Sequence, residues 1–280
     1  MTDRYWVILE TEPFVDPRIV ADELARIKGI PALEAKRRVR RGVGIVDEDL
    51  GESEASALHE ILSAAGVPAR VVLADALPEF PAMEIYSQVE AGDDGIELKS
   101  TDGREQAMLV WDQIELVNPA LVFESGYVDR SEGFEVGMIP GIRELESEEA
   151  RVVRENLILK LRSDKSPAKA GPSVLSLLEG GKLKQCTAAV DLVGRDAACW
   201  FRVPARTLVF RKGRLRLGGE LAFSKLLREI VEKCEKTALS PLTLKLIRGD
   251  DIKGVAFSDQ REFAQHTRWQ LVLKLTGANE

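Results

Sequence analysis

The chain has 280 residues, 45% apolar and 30% charged, with 22 Gly, 12 Pro and no biased tract, which excludes fibrous, collagenous and wholly disordered classes. Its formal net charge of −7 hides a segregation: residues 1–75 carry 10 basic and 14 acidic groups, residues 76–150 carry 4 and 18, and residues 151–280 carry 25 and 14. Either the acidic middle faces the basic C-terminal part within the molecule, or one of them meets an external partner of opposite sign.

The opening MTDRYWVILETEP has acidic groups and lacks a basic segment followed by an apolar stretch, so no secretory leader is expected. With no apolar run near the roughly 18–20 residues of a membrane-spanning helix, a cytoplasmic location is expected. Tyr5 to Leu9 is apolar and rich in strand formers. Asp16-Pro17 opens a helix with Ile19, Val20, Leu24 and Ile27 at helical spacing, and Gly29 stops it. A second helix over about Ala32 to Arg41 carries Leu33, Ala35, Lys36 and Val39, and Gly42 ends it. Val43 to Val46 is a second strand, and Glu52 to Ala65 a third helix with Ala55, Leu58, Ile61, Leu62 and Ala65 on one side. Gly66 closes that helix before the strand Ala69 to Leu73. The order strand, helix, helix, strand, helix, strand predicts a small α/β sandwich over residues 1–76.

That order of elements, with Gly29-Ile30-x-x-x-Glu34-Ala35-Lys36, the helix start Glu52-Ser53-Glu54-Ala55 and the ending Ala64-Ala65-Gly66-Val67-Pro68-Ala69-Arg70-Val71, resembles one superfamily. It joins the C-terminal domain of the bacterial ribosomal stalk protein with the Clp protease adaptor ClpS, and the resemblance covers residues 4–74. It implies a docking domain: stalk domains recruit translational GTPases through basic residues, and the adaptors grip a peptide's free N-terminal amine. Lys36 matches a basic position of the stalk pattern, whereas the first helix has Asp22, Glu23 and Ala25 where cations would stand. At the adaptor's amine-binding loop this chain has Thr11-Glu12-Pro13, and Arg37, Arg38, Arg40 and Arg41 crowd the second helix. Glu12 can accept a cation, but that cationic neighbourhood repels an amine and favours an acidic protein or peptide partner.

Two seams follow, Ala74 to Ala82 with Pro78 and Pro81, and Ser163 to Ser173, which is small, polar and rich in Pro and Gly. They predict a β-rich domain over 80–162 and an α+β domain over 174–280. In the former, Met83 to Val89, Gly95 to Ser100 and Ala107 to Trp111 are strands joined at Gly92-Asp93-Asp94-Gly95 and Asp102-Gly103, a strand-turn-strand-tryptophan pattern that resembles small PH-like barrels. Glu144 to Glu149 is a short acidic helix and Asn156 to Leu161 a further strand. In the last block, Ala189 to Val193, Ala198 to Val203, Thr207 to Phe210, Leu242 to Ile247 and Trp269 to Leu275 are expected as strands. About Glu220 to Lys236 is one long amphipathic helix with Phe223, Leu226, Leu227, Ile230, Val231 and Cys234 on its apolar side. The fold class is therefore α+β.

Chemistry-bearing patterns are few. Cys186, Cys199 and Cys234, spaced by 13 and 35 residues, match neither a disulfide framework nor zinc ligand pairs, and His59 and His266 are isolated. No Gly-x-Gly-x-x-Gly, Gly-Lys-Ser/Thr or Gly-x-Ser-x-Gly motif occurs, so no catalytic residue, cofactor or metal is assigned. Arg202, Arg206, Arg211, Lys212, Arg214 and Arg216, with Arg195, Trp200 and Phe201 nearby, are the candidate nucleic-acid contacts; the competing and preferred reading is a solvated or internally paired charge run, with Trp200 in a core. The expectation is a non-enzymatic adaptor that binds an acidic protein or peptide through Glu12, Lys36, Arg37, Arg38, Arg40 and Arg41. The alternative is a nucleic-acid or ribosome-associated factor that uses the basic C-terminal block.

Overall fold

The computed structural model describes residues 3–10, 17–123, 175–179, 182–234, 238–239 and 256–277. The protein is α+β and divides into two compact units. The first draws on Met1–Glu79 and Gln260–Glu280, the second on Phe80–Asp129 and Ile139–Asp259.

In the first unit, β1 (Tyr5–Leu9) lies between β2 (Ile45–Leu50) and β3 (Ala69–Leu73), antiparallel to both. Helices α1 (Pro17–Lys28), α2 (Ala32–Gly42) and α3 (Glu52–Ala64) supply Val20, Leu24, Ala35, Ala55, Leu58 and Leu62 to a core with Val7 and Leu9. Residues alternate across a strand, so Trp6 and Ile8 point to the opposite sheet face, and both are buried there. Local chemistry fixes the ends of α3. The Glu54 carboxylate accepts the Gly51 N–H at 2.8 Å, half of a capping box. At the other end Val67 N–H donates to Leu62 and Gly66 N–H to Ser63, the paired bonds of a Schellman ending, with Gly66 at φ +71°.

What covers the Trp6 face differs from the sequence expectation. Residues 269–275 are not a strand; they belong to helix α5 (Gln260–Leu275), which is part of the first unit rather than of a 174–280 block. The Trp269 indole N–H donates to the Leu9 carbonyl at 2.8 Å, the Arg268 guanidinium lies over the Trp6 ring, and Gln265 and Arg268 both reach Glu48. Phe263, His266, Thr267, Trp269, Gln270 and Leu271–Leu273 are all buried, nearly the whole circumference of the helix. A helix buried all round has no apolar stripe at period 3.6, so its Leu-Val-Leu run reads as a strand.

The second unit has two sheets. One runs β13 (Leu215–Gly218), β12 (Val209–Lys212), β5 (Gln88–Ala91), β6 (Gly95–Lys99), β7 (Gln106–Val110). The other runs β14 (Ala238–Leu239), β8 (Ile114–Phe123), β10 (Lys182–Gly194), β11 (Trp200–Pro204), β4 (Glu84–Ile85), with β9 (Leu175–Glu179) on β10 and β15 (Ala256–Phe257) on β8. Helix α4 (Gly219–Lys233) completes the core, in which Phe223, Leu226 and Ile230 meet Val89, Leu98 and Phe210 of the first sheet and Val117, Leu192 and Val203 of the second. The expected strand Met83 to Val89 is broken in two at Tyr86-Ser87, whose N–H groups bond to Arg202 and Lys99 in different sheets. Glu144 to Glu149, Asn156 to Leu161 and Leu242 to Ile247 lie outside the described residues.

Candidate functional site

Helix α2 turns its charge outward. Ala35 and Gly42 are buried and Val39 half-buried, which sets the inner stripe. At 100° per residue, Leu33, Lys36, Arg37, Arg40 and Arg41 fall on the opposite side. Arg37 and Arg41 are exposed, Lys36 and Arg40 half-buried. Leu33 is 61% exposed, more than any other large apolar side chain among the described residues. Arg40 and Arg41 also occupy the last turn, where the helix dipole favours cations.

Arg38 stands apart from this face. It donates to Glu34 at 2.8 Å and lies 3.7 Å from Asp47, a carboxylate of β2 that is 8% exposed. Lys28 approaches the same carboxylate from α1 at 3.7 Å. Arg38 therefore neutralises a buried acid and ties α2 to the sheet, while Arg37 and Arg41 remain on the surface. Glu12 lies outside the described residues.

The second set of candidate cations also separates. Arg202 is 1% exposed and clasps Asp191 with two hydrogen bonds of 2.6 Å. On one sheet face, Asn118 of β8, Asp191 of β10 and Arg202 of β11 are in register, all buried. Arg202 is thus a core ion-pair member and cannot reach a phosphate, a correction to its assignment as a nucleic-acid contact. Trp200 and Phe201, at 6% and 5% exposure, are likewise unavailable for stacking on a base. Lys212 pairs with the buried Glu229 at 2.6 Å. Burial alone would raise the Glu229 carboxyl, but Lys212 and Lys225 outweigh it and hold it below the ordinary glutamate range. Arg206, Arg211, Arg214 and Arg216 are exposed.

Burial shifts three titratable groups toward their neutral forms. Burial and the hydrogen bond to Glu84 push the Tyr86 phenol up to about 12. Burial raises the Cys199 thiol, which disfavours the nucleophilic thiolate. Burial lowers His266 to about 3, so its imidazole is uncharged at neutral pH. Among the described residues no group of three or more His, Cys, Asp or Glu side chains could hold a metal ion. No helix among them is long and apolar enough to cross a membrane.

Comparison with family models finds no match, and comparisons with curated proteins and with solved structures find none either. The chemistry of the surface therefore has to carry the functional argument. Sequence analysis missed Leu33 as a surface group by treating it as one of the apolar residues of its helix. Its two-residue offset from Ala35 places the two about 200° apart, which was the signal that one of them faces outward.

Proposed function

We propose that this is a non-enzymatic binding protein in which the outer face of α2 docks an acidic segment of a partner protein. The observation that carries it is Leu33: a large apolar side chain, 61% exposed, on the same outer face of α2 as the exposed Arg37 and Arg41. An apolar anchor on a cationic helix face suits a partner that presents an apolar residue flanked by carboxylates, with the charges speeding encounter and the leucine adding burial. The resemblance of residues 4–74 to docking domains of the stalk and adaptor superfamily supports the same reading.

The test is capture from a lysate of the source cells on the immobilised full chain, against a Leu33→Ser, Arg37→Ser, Arg41→Ser triple variant, at low and high salt. Partners with acidic segments should be held by the wild type at low salt, released at high salt, and lost from the variant. Equal capture by the two proteins, or capture indifferent to salt, would overturn the proposal.

A further inference from the structure

The β12–β13 hairpin forms one edge of the five-stranded sheet among the described residues. β13 is the terminal strand, paired with β12, and no described strand lies on its outer side. Its turn is the two residues Gly213-Arg214, and Gly213 adopts φ +56°, the sign that the first position of a type II′ hairpin turn requires. In a two-residue hairpin the flanking pair, Lys212 and Leu215, is the hydrogen-bonded one. Arg211 and Arg216 then form the next, non-hydrogen-bonded pair, so the peptide N–H and C=O of Arg216 point away from β12 toward the outer edge.

The side chains along this edge sort by face. Arg211 and Arg216 stand directly across from one another on the outer face and, with Arg214 at the turn, are exposed. None of the three makes an ion pair among the described residues. Like charges placed opposite each other disfavour a strand pair; Glu90 of β5, in register with Arg211 on the same face, offsets this on one side, and an anion beyond β13 would offset it at Arg216. On the other face Leu215 is 41% exposed, and Leu221 in the first turn of α4 is 42% exposed. A charged edge commonly protects a sheet from unwanted pairing, but an edge built only for protection has no use for two exposed leucines beside it. The opposite edge, β7, exposes Met108 and carries no Lys or Arg, so β13 is the edge of this sheet that combines cations with apolar groups.

We propose that β13 accepts an extended acidic peptide as an added strand. Its backbone pairs with the free groups of Arg216. Its alternate side chains are carboxylates toward Arg211, Arg214 and Arg216 and apolar groups toward Leu215 and Leu221. This surface lies in the second unit and is independent of the α2 face.

The experiment is a fluorescence anisotropy titration of the full chain with a labelled peptide in which Glu and Val alternate. Three comparators accompany it: a peptide of the same composition with Glu and Val in separate blocks, the alternating peptide N-methylated at every second amide, and an oligo-dT strand. The alternating peptide should bind, and block arrangement or N-methylation should weaken it by about tenfold or more, because register and backbone pairing are both lost. Arg211→Ser with Arg216→Ser should abolish the preference for the alternating, unmethylated peptide. Arg216→Pro, which removes the outward N–H, should weaken that preference beyond Arg216→Ser, and the preference should persist in the Leu33→Ser, Arg37→Ser, Arg41→Ser variant, in which the α2 face no longer contributes to binding of an acidic segment. Equal binding of the block peptide, tighter binding of oligo-dT, indifference to the arginine substitutions, or no binding of the alternating peptide would each overturn the proposal. If Arg216→Pro fails to fold, the N-methylated peptide and Arg216→Ser carry the same decision.

Discussion

The indole N–H of Trp269 donates to the carbonyl of Leu9 at 2.8 Å, joining residues 260 positions apart in the chain. The contact explains Gly44, which lies at φ +102° with no room for a side chain: a Cβ there would stand 2.5 Å from carbons of the Trp269 ring. Trp269→Phe leaves the Leu9 carbonyl without its partner and should cost about 1–3 kcal/mol. Gly44→Ala should cost at least as much, because strain at positive φ adds to the overlap. Both are read by chemical denaturation followed by circular dichroism. A chain truncated after Asp259 uncovers Trp6 and Ile8 and should lose the cooperative transition of the first unit, and adding α5 back through a linker should restore it. Independent folding of residues 1–79 with unchanged stability would show that α5 is dispensable.

His266 of the same helix makes stability depend on acid. Burial holds its folded-state pKa near 3, against 6.5 for the ordinary imidazole, and its ring lies 5.4 Å from that of Trp269. Below pH 6.5 the unfolded chain takes up a proton that the folded chain refuses. The contribution is therefore complete above that pH and falls by about 1.4 kcal/mol per unit as the pH drops toward 3. His266→Gln cannot titrate, so the difference in unfolding free energy between wild type and variant should shrink or reverse between about pH 7 and pH 4.5. A difference that stays constant over that interval would contradict the burial of the imidazole.

Elements with their own punctuation were legible in the sequence. Glu52 to Gly66 carries an acidic first turn, an apolar stripe and a terminal glycine, and α3 has those limits to within two residues. The stripe from Phe223 to Cys234 likewise marks α4, since it buries one side only. Legibility failed where burial came from distant partners. Trp269 to Leu275 is helical but buried all round, and nothing local tells its partner to be β1. In Arg211 to Leu217 the alternation of charge and apolar residues signals strand, yet Gly213-Arg214 turns the chain and makes two strands of it. The candidate cations were legible as cations but not by location. Only packing separates Arg202, which faces Asp191 in the core, from Arg216, which faces solvent.

The Arg202–Asp191 pair carries a prediction of its own. With both side chains at 1% exposure or less, removing one partner strands a charge. Arg202→Met or Asp191→Leu alone should destabilise the second unit by about 3–5 kcal/mol. The double substitution removes both charges together and should be less costly than either single change, a strong negative coupling in a double-mutant cycle. Additive losses would mean that the pair is solvated or that each residue serves a different partner.

The arginines of α2 should divide between stability and docking as their surroundings divide them. Asp47 is buried, one of its oxygens takes the Asp49 N–H, and the other has Arg38 at 3.7 Å and no hydrogen bond among the described residues. Arg38→Ala leaves that oxygen uncompensated and should cost about 1–3 kcal/mol, an amount that Asp47→Asn would largely cancel by removing the charge. Arg37→Ala and Arg41→Ala touch no such acid and should leave the unfolding midpoint unchanged while weakening capture of an acidic partner. A midpoint that falls equally in all three variants would mean that the whole basic face supports the fold. Loss of capture in Arg38→Ala alone would move the docking surface toward β2.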